Sequence, residues 1–423
     1  MDFVAHLKNS LPIEEVDKLM NSLDEKDYHA VLLNPNKISD EEFLKEFPNL
    51  NKHPIVDHAY IYDKESLPLG KHIYHELGFY YLQEPSAMVV SSIIDFKEDD
   101  LVLDMCAAPG GKTIQASFKM NQKGLIISND LSNSRAKLIS NNSERLGLKN
   151  ILIVNNDLEK IYQNYENTFD KIILDAPCSG SGMFRKHSLM KEDWSINKVY
   201  KFQEIQKSLI LIAYKMLKPG GLLSYSTCSY SKEEDEDVIS YLLDNSDASI
   251  KEINFPGAFI NPLSPIGVRL MPSHFQGEGQ YICHITKPGV LTKNNFSNVG
   301  EKITIKYQGE EKDKHGDGVF LLTNSINFKP LKIIRYGVKI GEVKKGIMNY
   351  DLHYARSVDD NEFPKIELSL DEVKSYLFGN TLNKVSNYKG YVLLTYKNKS
   401  VDIAKTDGRV IKNNYPKGLR KKF

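Results

Sequence analysis

The sequence predicts an α/β protein built on a mostly parallel, twisted sheet with helices on both faces. Three observations carry this. From Leu101 onward, short apolar runs alternate with helical patterns. The first run, LVLDM (Leu101–Met105), passes through a turn of small residues, CAAPGG (Cys106–Gly111), into a helix opened by Lys112 and Thr113. Asp130, Asp157, the segment Asp175–Cys178 and Cys228 each stand just past a predicted strand end. In a doubly wound sheet those positions line one crevice.

Taken in order, residues 1 to about 80 form a small acidic unit. Helical spacing runs over Ser10–Asn21 and Glu41–Phe47, and His53, His58, His72 and His75 are scattered in a loop-rich stretch that matches no zinc pattern. Pro85 breaks the chain and Ser86 is placed to cap a helix reaching Ile94. Strands follow at Leu101–Met105, Leu125–Asn129, Ile151–Asn155, Lys171–Leu174 and Leu222–Ser226, with a late one at Tyr281–Thr286. Helices are read at Asn133–Leu146, at Phe202–Leu217, stopped by Pro219-Gly220-Gly221, and at Glu233–Leu243, with an acidic face. Beyond a polar linker, Leu291–Asn298, come short alternating segments with glycine turns: Ile303–Tyr307, Gly318–Leu322, Leu331–Val338, Tyr391–Tyr396 and Ser400–Ile403. The domains are thus drawn as 1–80, 81–290 and 300–423.

The 423 residues allow two or three domains, and 41% hydrophobic with 26% charged residues is ordinary for a globular chain. No run of about 18 apolar residues suggests a membrane span. The N-terminal stretch lacks the apolar centre of a secretory signal, and four cysteines without a CxxC pair suggest reduced thiols, so a cytoplasmic location is expected. Net charge is zero, yet residues 291–423 hold 25 Lys+Arg against 15 Asp+Glu. That excess of 10, interleaved with Tyr388, Tyr391, Tyr396 and Tyr415, points to a polyanion partner.

GGKT (Gly110–Thr113) looks like the end of a phosphate-binding P-loop, but the required spacing puts Cys106 where the first glycine belongs, which excludes it. A nucleoside ligand fits better: Asp130 can accept both ribose hydroxyls, and Asp157 can accept from an adenine amino group. Each alone could equally be a helix cap. Cys178 and Cys228 lie at strand ends among Ser and Gly, where packing has no need of sulfur; a thiolate there is a nucleophile, with Lys112, Arg185 and Lys186 as nearby cations.

CAAPGGK (Cys106–Lys112), DAPCSGSG (Asp175–Gly182) and YSTCSYS (Tyr225–Ser231), with QEPSAM (Gln83–Met88) upstream, closely resemble the motifs of the RNA cytosine-5 methyltransferase family in the family's order. The basic C-terminus resembles the PUA-like ending of its bacterial RsmF/YebU-like rRNA methyltransferase branch. The resemblance implies a Rossmann-like class I S-adenosylmethionine-dependent methyltransferase core between a small N-terminal α/β domain that contacts RNA and a β-rich PUA-like RNA-binding domain. It implies S-adenosyl-L-methionine held by Cys106, Ala107, Ala108, Pro109, Gly110, Gly111, Lys112, Asp130, Asp157 and Asp175, with Arg135 nearby. It implies Cys228 as nucleophile, Asp175 as general acid and Cys178 as the group that assists removal of the carbon 5 proton. Lys112 would position the base or activate Cys228. The implied partner is RNA, most simply small-subunit (16S) ribosomal RNA, without metal or membrane. DNA cytosine-5 methyltransferases would instead use Cys178. A methyltransferase-fold RNA-binding assembly factor without catalysis is the alternative; it would show a broken cysteine pair or turn, and neither is seen. Removal of the chain from Val299 onward is expected to weaken RNA binding more than cofactor binding.

Overall fold

The computed structural model describes residues 2–186, 189–294, 296, 302–305, 317–321, 324, 326, 329–357 and 362–423. Its centre is a nine-stranded sheet. We label its strands β1 (Leu101–Asp104), β2 (Leu125–Asn129), β3 (Ile151–Val154), β4 (Phe169–Asp175), β5 (Leu217–Thr227), β6 (Ser249–Lys251), β7 (Val268–Leu270), β8 (Gln280–Thr286) and β9 (Ile333–Tyr336). The order is β6-β8-β5-β4-β1-β2-β3-β9, with β7 paired beside β8. β5, β4, β1, β2 and β3 run parallel. Their apolar runs are buried on both faces, as a sheet sandwiched between helices requires. β8 and β9 run antiparallel to their neighbours. Strand order reverses around β1, and a crevice opens there above the carboxyl ends of β1 and β4.

Two helices feed that crevice. Residues Pro85–Ser92 form α1 and Gly111–Lys119 form α2. The cap of α1 is Glu84, which accepts from the backbone N–H of Ser86 at 2.9 Å and Ala87 at 2.7 Å, with Pro85 at the first helical position. Ser86 is not the cap: its hydroxyl is buried and donates to the Glu278 carbonyl at 3.0 Å. The longest helix starts at Ile196, capped by Ser195, and ends at Met216. Strand β5 begins at the next residue, and Pro219–Gly221, read as a stop, lies inside it as a bulge: Phe169 pairs with Leu217 while Lys171 pairs with Leu222. Gly220, at φ +77°, makes that excursion possible.

The N-terminal unit is an antiparallel sheet of Asn51–Lys52, Ala59–Tyr62, His29–Leu33 and Tyr80–Gln83. The last of these strands runs directly into Glu84 and α1, so this sheet leans over the crevice. The C-terminal unit holds a four-stranded sheet and a five-stranded one, the latter packed on the helix Leu370–Phe378. Of the segment read as Leu331–Val338, β9 joins the central sheet, and after Gly337 the chain enters the four-stranded sheet at Val338–Lys344. Strands Lys302–Ile305 and Asp317–Leu321 overlap two other expected segments, each starting one residue earlier; Tyr307, Leu322, Asn298 and Val299 are outside the described residues. Among the described residues no helix is long and apolar enough to cross a membrane.

Candidate active site

The turn after β1 is held from three sides. Ala107 N–H donates to the Asn129 carbonyl at 2.8 Å, Gly110 N–H to Ala107 at 2.7 Å, and Met105 N–H to Ile173 at 3.0 Å. Gly110 caps α2 at φ +108°, a conformation glycine takes at little steric cost. A Cβ on Gly111 would fall 2.7 Å from the Gln83 side chain, so only glycine lets the N-terminal sheet close over the turn. Asp130 stands behind it, accepting from Ala108 N–H at 3.3 Å and Ser132 N–H at 2.9 Å, while Arg135 donates to the Ala108 carbonyl at 2.8 Å.

A cleft of about 460 Å³ opens in front of this turn. Its walls include Cys106, Ala107, Ala108, Pro109, Gly111, Lys112, Asp175 and Cys228, and the N-terminal unit contributes His29, Tyr62 and Gln83 from its sheet and Lys64 from a turn. Gly110 and Asp130 support the turn from behind. Asp157 stands on the loop after β3, paired with Lys160 at 2.9 Å, outside the walls of this cleft.

Lys112 Nζ donates to Asp175 Oδ2 at 2.7 Å. Burial lowers the proton affinity of this lysine, but the carboxylates of Asp175 and Asp104 more than offset that, and it stays an ammonium. The other oxygen of Asp175 accepts from the Ser226 hydroxyl at 2.8 Å and from Gln280 Nε2 at 3.3 Å. Asp104 is fully buried: Thr113 donates to one oxygen at 2.6 Å, and the other has no partner. Burial pushes its carboxyl up to about 7.

Cys178 and Cys228 meet with sulfurs 3.2 Å apart, both free thiols. The hydrogen bond to Cys228 and then burial push the Cys178 thiol well up, so it retains its proton. The loops carrying them are bonded to each other: Gly182 N–H donates to the Cys228 carbonyl at 2.7 Å, and Tyr230 N–H to Ser181 Oγ at 2.9 Å. Cys106 is a different kind of thiol, pushed up by burial and by Asp104, Asp175 and Asp130 around it, and is a packing residue of the turn.

The residues missed by the sequence reading are Gln83, Ser226 and Gln280 around Asp175 and the turn, and Glu234, which accepts hydrogen bonds from both cysteine loops. Gln83 and Ser226 sat inside quoted motifs; Gln280 and Glu234 had no local signal. Of the scattered histidines, His53 is buried against the Pro85 carbonyl and burial lowers it to about 4, a packing role.

The residues fit S-adenosylmethionine. Gly111 marks where added bulk is not tolerated, Asp104 and Gln83 each offer a buried oxygen without a partner, and carboxylates at the strand ends suit hydroxyl, amino and sulfonium groups. A twisted sheet with this cleft and two adjoining thiols at its switch point belongs to the class of S-adenosylmethionine-dependent methyltransferases that act through cysteine. The family model described as 16S rRNA methyltransferase RsmB/F matches residues 91–286; the N-terminal domain of 16S rRNA methyltransferase RsmF matches 1–85, and the RsmF PUA domain matches 363–421. The ribosomal RNA small subunit methyltransferase F of Psychromonas ingrahamii is 29% identical over 98% of both chains. The tRNA (cytosine(49)-C(5))-methyltransferase of Pyrococcus abyssi is 39% identical over 52% of this chain and 74% of its own. A solved methyltransferase homologue from Pyrococcus horikoshii superposes with TM-score 0.58 at 30% identity, covering 66% of this chain and 92% of that one. The chain belongs to the 16S rRNA methyltransferase RsmB/F family, and it is an S-adenosylmethionine-dependent RNA cytosine-C5 methyltransferase.

Proposed function

We propose that the chain methylates carbon 5 of a cytosine in small-subunit ribosomal RNA in the cytoplasm, with Cys228 as nucleophile and Cys178 as its proton-handling partner. The single observation that carries the mechanism is the pair of sulfurs 3.2 Å apart beside the Lys112–Asp175 pair. The match along 98% of a small-subunit rRNA enzyme, including both flanking domains, supports rRNA over tRNA, since the tRNA enzyme resembles only about half of this chain.

Cytosine carbon 5 is a poor nucleophile. The Cys228 thiolate adds to carbon 6, forming a C–S bond and making carbon 5 enamine-like. Asp175, with the Lys112 ammonium 2.7 Å away, holds a proton at the ring nitrogen where charge develops. S-adenosylmethionine supplies an electrophilic methyl group on a sulfonium sulfur. Cys178 starts as a thiol and first gives its proton to solvent in the open cleft; as thiolate its raised proton affinity makes it a strong base, so it takes the carbon 5 proton and is a thiol again, while the C–S bond breaks and Cys228 leaves as thiolate. The base must be splayed out of its stack to enter the cleft, which single-stranded or looped RNA permits at lower cost. The Cys106–Lys112 turn, braced by Asp130, is proposed to hold the cofactor; Asp157, paired with Lys160 outside the cleft, is not in place to do so.

The test uses ribosomal RNA, cofactor and denaturing gels. Cys178→Ala is expected to accumulate a covalent RNA adduct, and Cys228→Ala to give neither adduct nor product. An adduct that depends on Cys178 and survives loss of Cys228 overturns the assignment.

A further inference from the structure

Five consecutive acids, Glu233 to Asp237, lead into the helix after β5. Such a run would ordinarily face solvent. Here Glu234, Asp235 and Glu236 are all buried, at 0%, 0% and 1% exposure. Asp235 and Glu236 are explained by the buried Arg269 guanidinium, which contacts both. Glu234 has no cation partner among the described residues. Instead its carboxylate gathers four donors: Ser179 N–H at 2.7 Å and Gln206 Nε2 at 3.2 Å on one oxygen, and the hydroxyls of Ser179 at 2.5 Å and Ser229 at 2.7 Å on the other. Ser179 follows Cys178 and Ser229 follows Cys228. Gln206 also donates to the carbonyl of Pro177, the residue before Cys178, at 2.8 Å.

Resting on the mechanism proposed above, we infer that Glu234 is a positioning residue that clamps the two cysteine loops together and fixes the approach of the two thiols. Cys178 and Cys228 lie 50 positions apart on loops that follow different strands, and beside the direct loop-to-loop links at Gly182 and Ser181 this carboxylate accepts hydrogen bonds from both loops. Burying an anion without a cation is costly unless every lone pair is used. Four donors converge on it, and the loops they come from are fixed as a result. The arrangement also puts a negative charge behind Cys178, one of the influences that keep its proton on.

The experiment compares Glu234→Ala and Glu234→Gln in the full chain by single-turnover methyl transfer to ribosomal RNA, with RNA and cofactor affinities and a kcat–pH profile. Glu234→Ala is expected to slow transfer about 100-fold, the usual consequence of a misplacement near 1 Å. Both affinities should stay within about twofold, since Glu234 is fully buried and does not line the cleft. Glu234→Gln keeps the shape and can donate to the two hydroxyls, so it recovers to within about tenfold of wild type. Having lost the charge, it moves the thiol-dependent limb of the profile to lower pH. Wild-type rates in Glu234→Ala overturn the inference. If Glu234→Ala does not fold, a Glu234→Gln enzyme whose limb is unmoved overturns it as well. A wild-type enzyme that forms no RNA adduct defeats the mechanism itself, a result distinct from either.

Discussion

Asp104 lies wholly buried beneath the cofactor turn, one oxygen bonded by Thr113 and the other without a partner. Its carboxyl is pushed to about 7 by burial, against an ordinary 3.8 in an unfolded chain. The folded state therefore binds this proton more tightly. Stability contributed by the protonated form is fully present below about pH 4 and is lost as pH rises through 7. Asp104→Asn cannot ionise, so relative to wild type it should gain thermal stability between about pH 4.5 and 8, measured as melting temperature without cofactor. A wild-type-to-variant difference that is the same at both pH values refutes the assignment. The sequence disclosed the reacting groups here because Cys178, Cys228, Asp175 and Lys112 sit in short motifs whose residue types have few structural reasons to occur. It did not disclose what they touch. Gln280 reaches Asp175 across 105 positions, and no local pattern encodes such a contact.

At the level of elements, the central strands were legible as buried apolar runs. Their edges were not. β5 extends five residues earlier than its apolar run because Pro219 to Gly221 are accommodated as a bulge, and β9 is recruited from a segment far outside the catalytic stretch to close the edge at β3. Composition also left undecided where the acids at the helix Glu236–Asp244 face: its acidic start points inward to Arg269 rather than to water. Arg269 is 1% exposed, donates to Asp235 at 2.9 Å and to both oxygens of Glu236, and its ring neighbour Tyr281 lies 5.1 Å away. Removing one member of a buried ionic cluster leaves uncompensated charge, so Arg269→Met should destabilise the protein by about 3–5 kcal/mol. Urea unfolding measures this. A loss under about 1 kcal/mol would show that the two carboxyls simply take up protons and that the cluster contributes little.

Across the whole molecule, the N-terminal and C-terminal units are not independent appendages. Val31, Leu33, Phe43 and Tyr80 of the first pack in one apolar cluster with Ile366, Val373, Tyr376 and Val392 of the second. Neither unit's sequence shows this, because each apolar face is equally consistent with a private core. Arg356 donates to the carbonyls of Glu76 at 2.7 Å and Arg145 at 3.1 Å, and buried His353 bonds the Leu148 carbonyl at 2.8 Å. Cutting the chain ahead of Val299 would strip half of that core and the edge strand β9, so such a truncation is expected to lower stability and cofactor affinity along with RNA binding, rather than RNA binding alone. A point substitution isolates the coupling. Glu76, 4% exposed, accepts from Tyr415 at 2.5 Å and from Lys421 at 2.7 Å. Tyr415→Phe keeps the ring in the shared cluster and removes only the donor, leaving a buried carboxylate one hydrogen bond short, at a cost of about 1–3 kcal/mol. If the two units fold as one body, that cost appears as a shift of a single calorimetric transition to which both contribute. Two separate transitions, with only the C-terminal one shifted, would show that the units unfold independently and that their common core does not couple them.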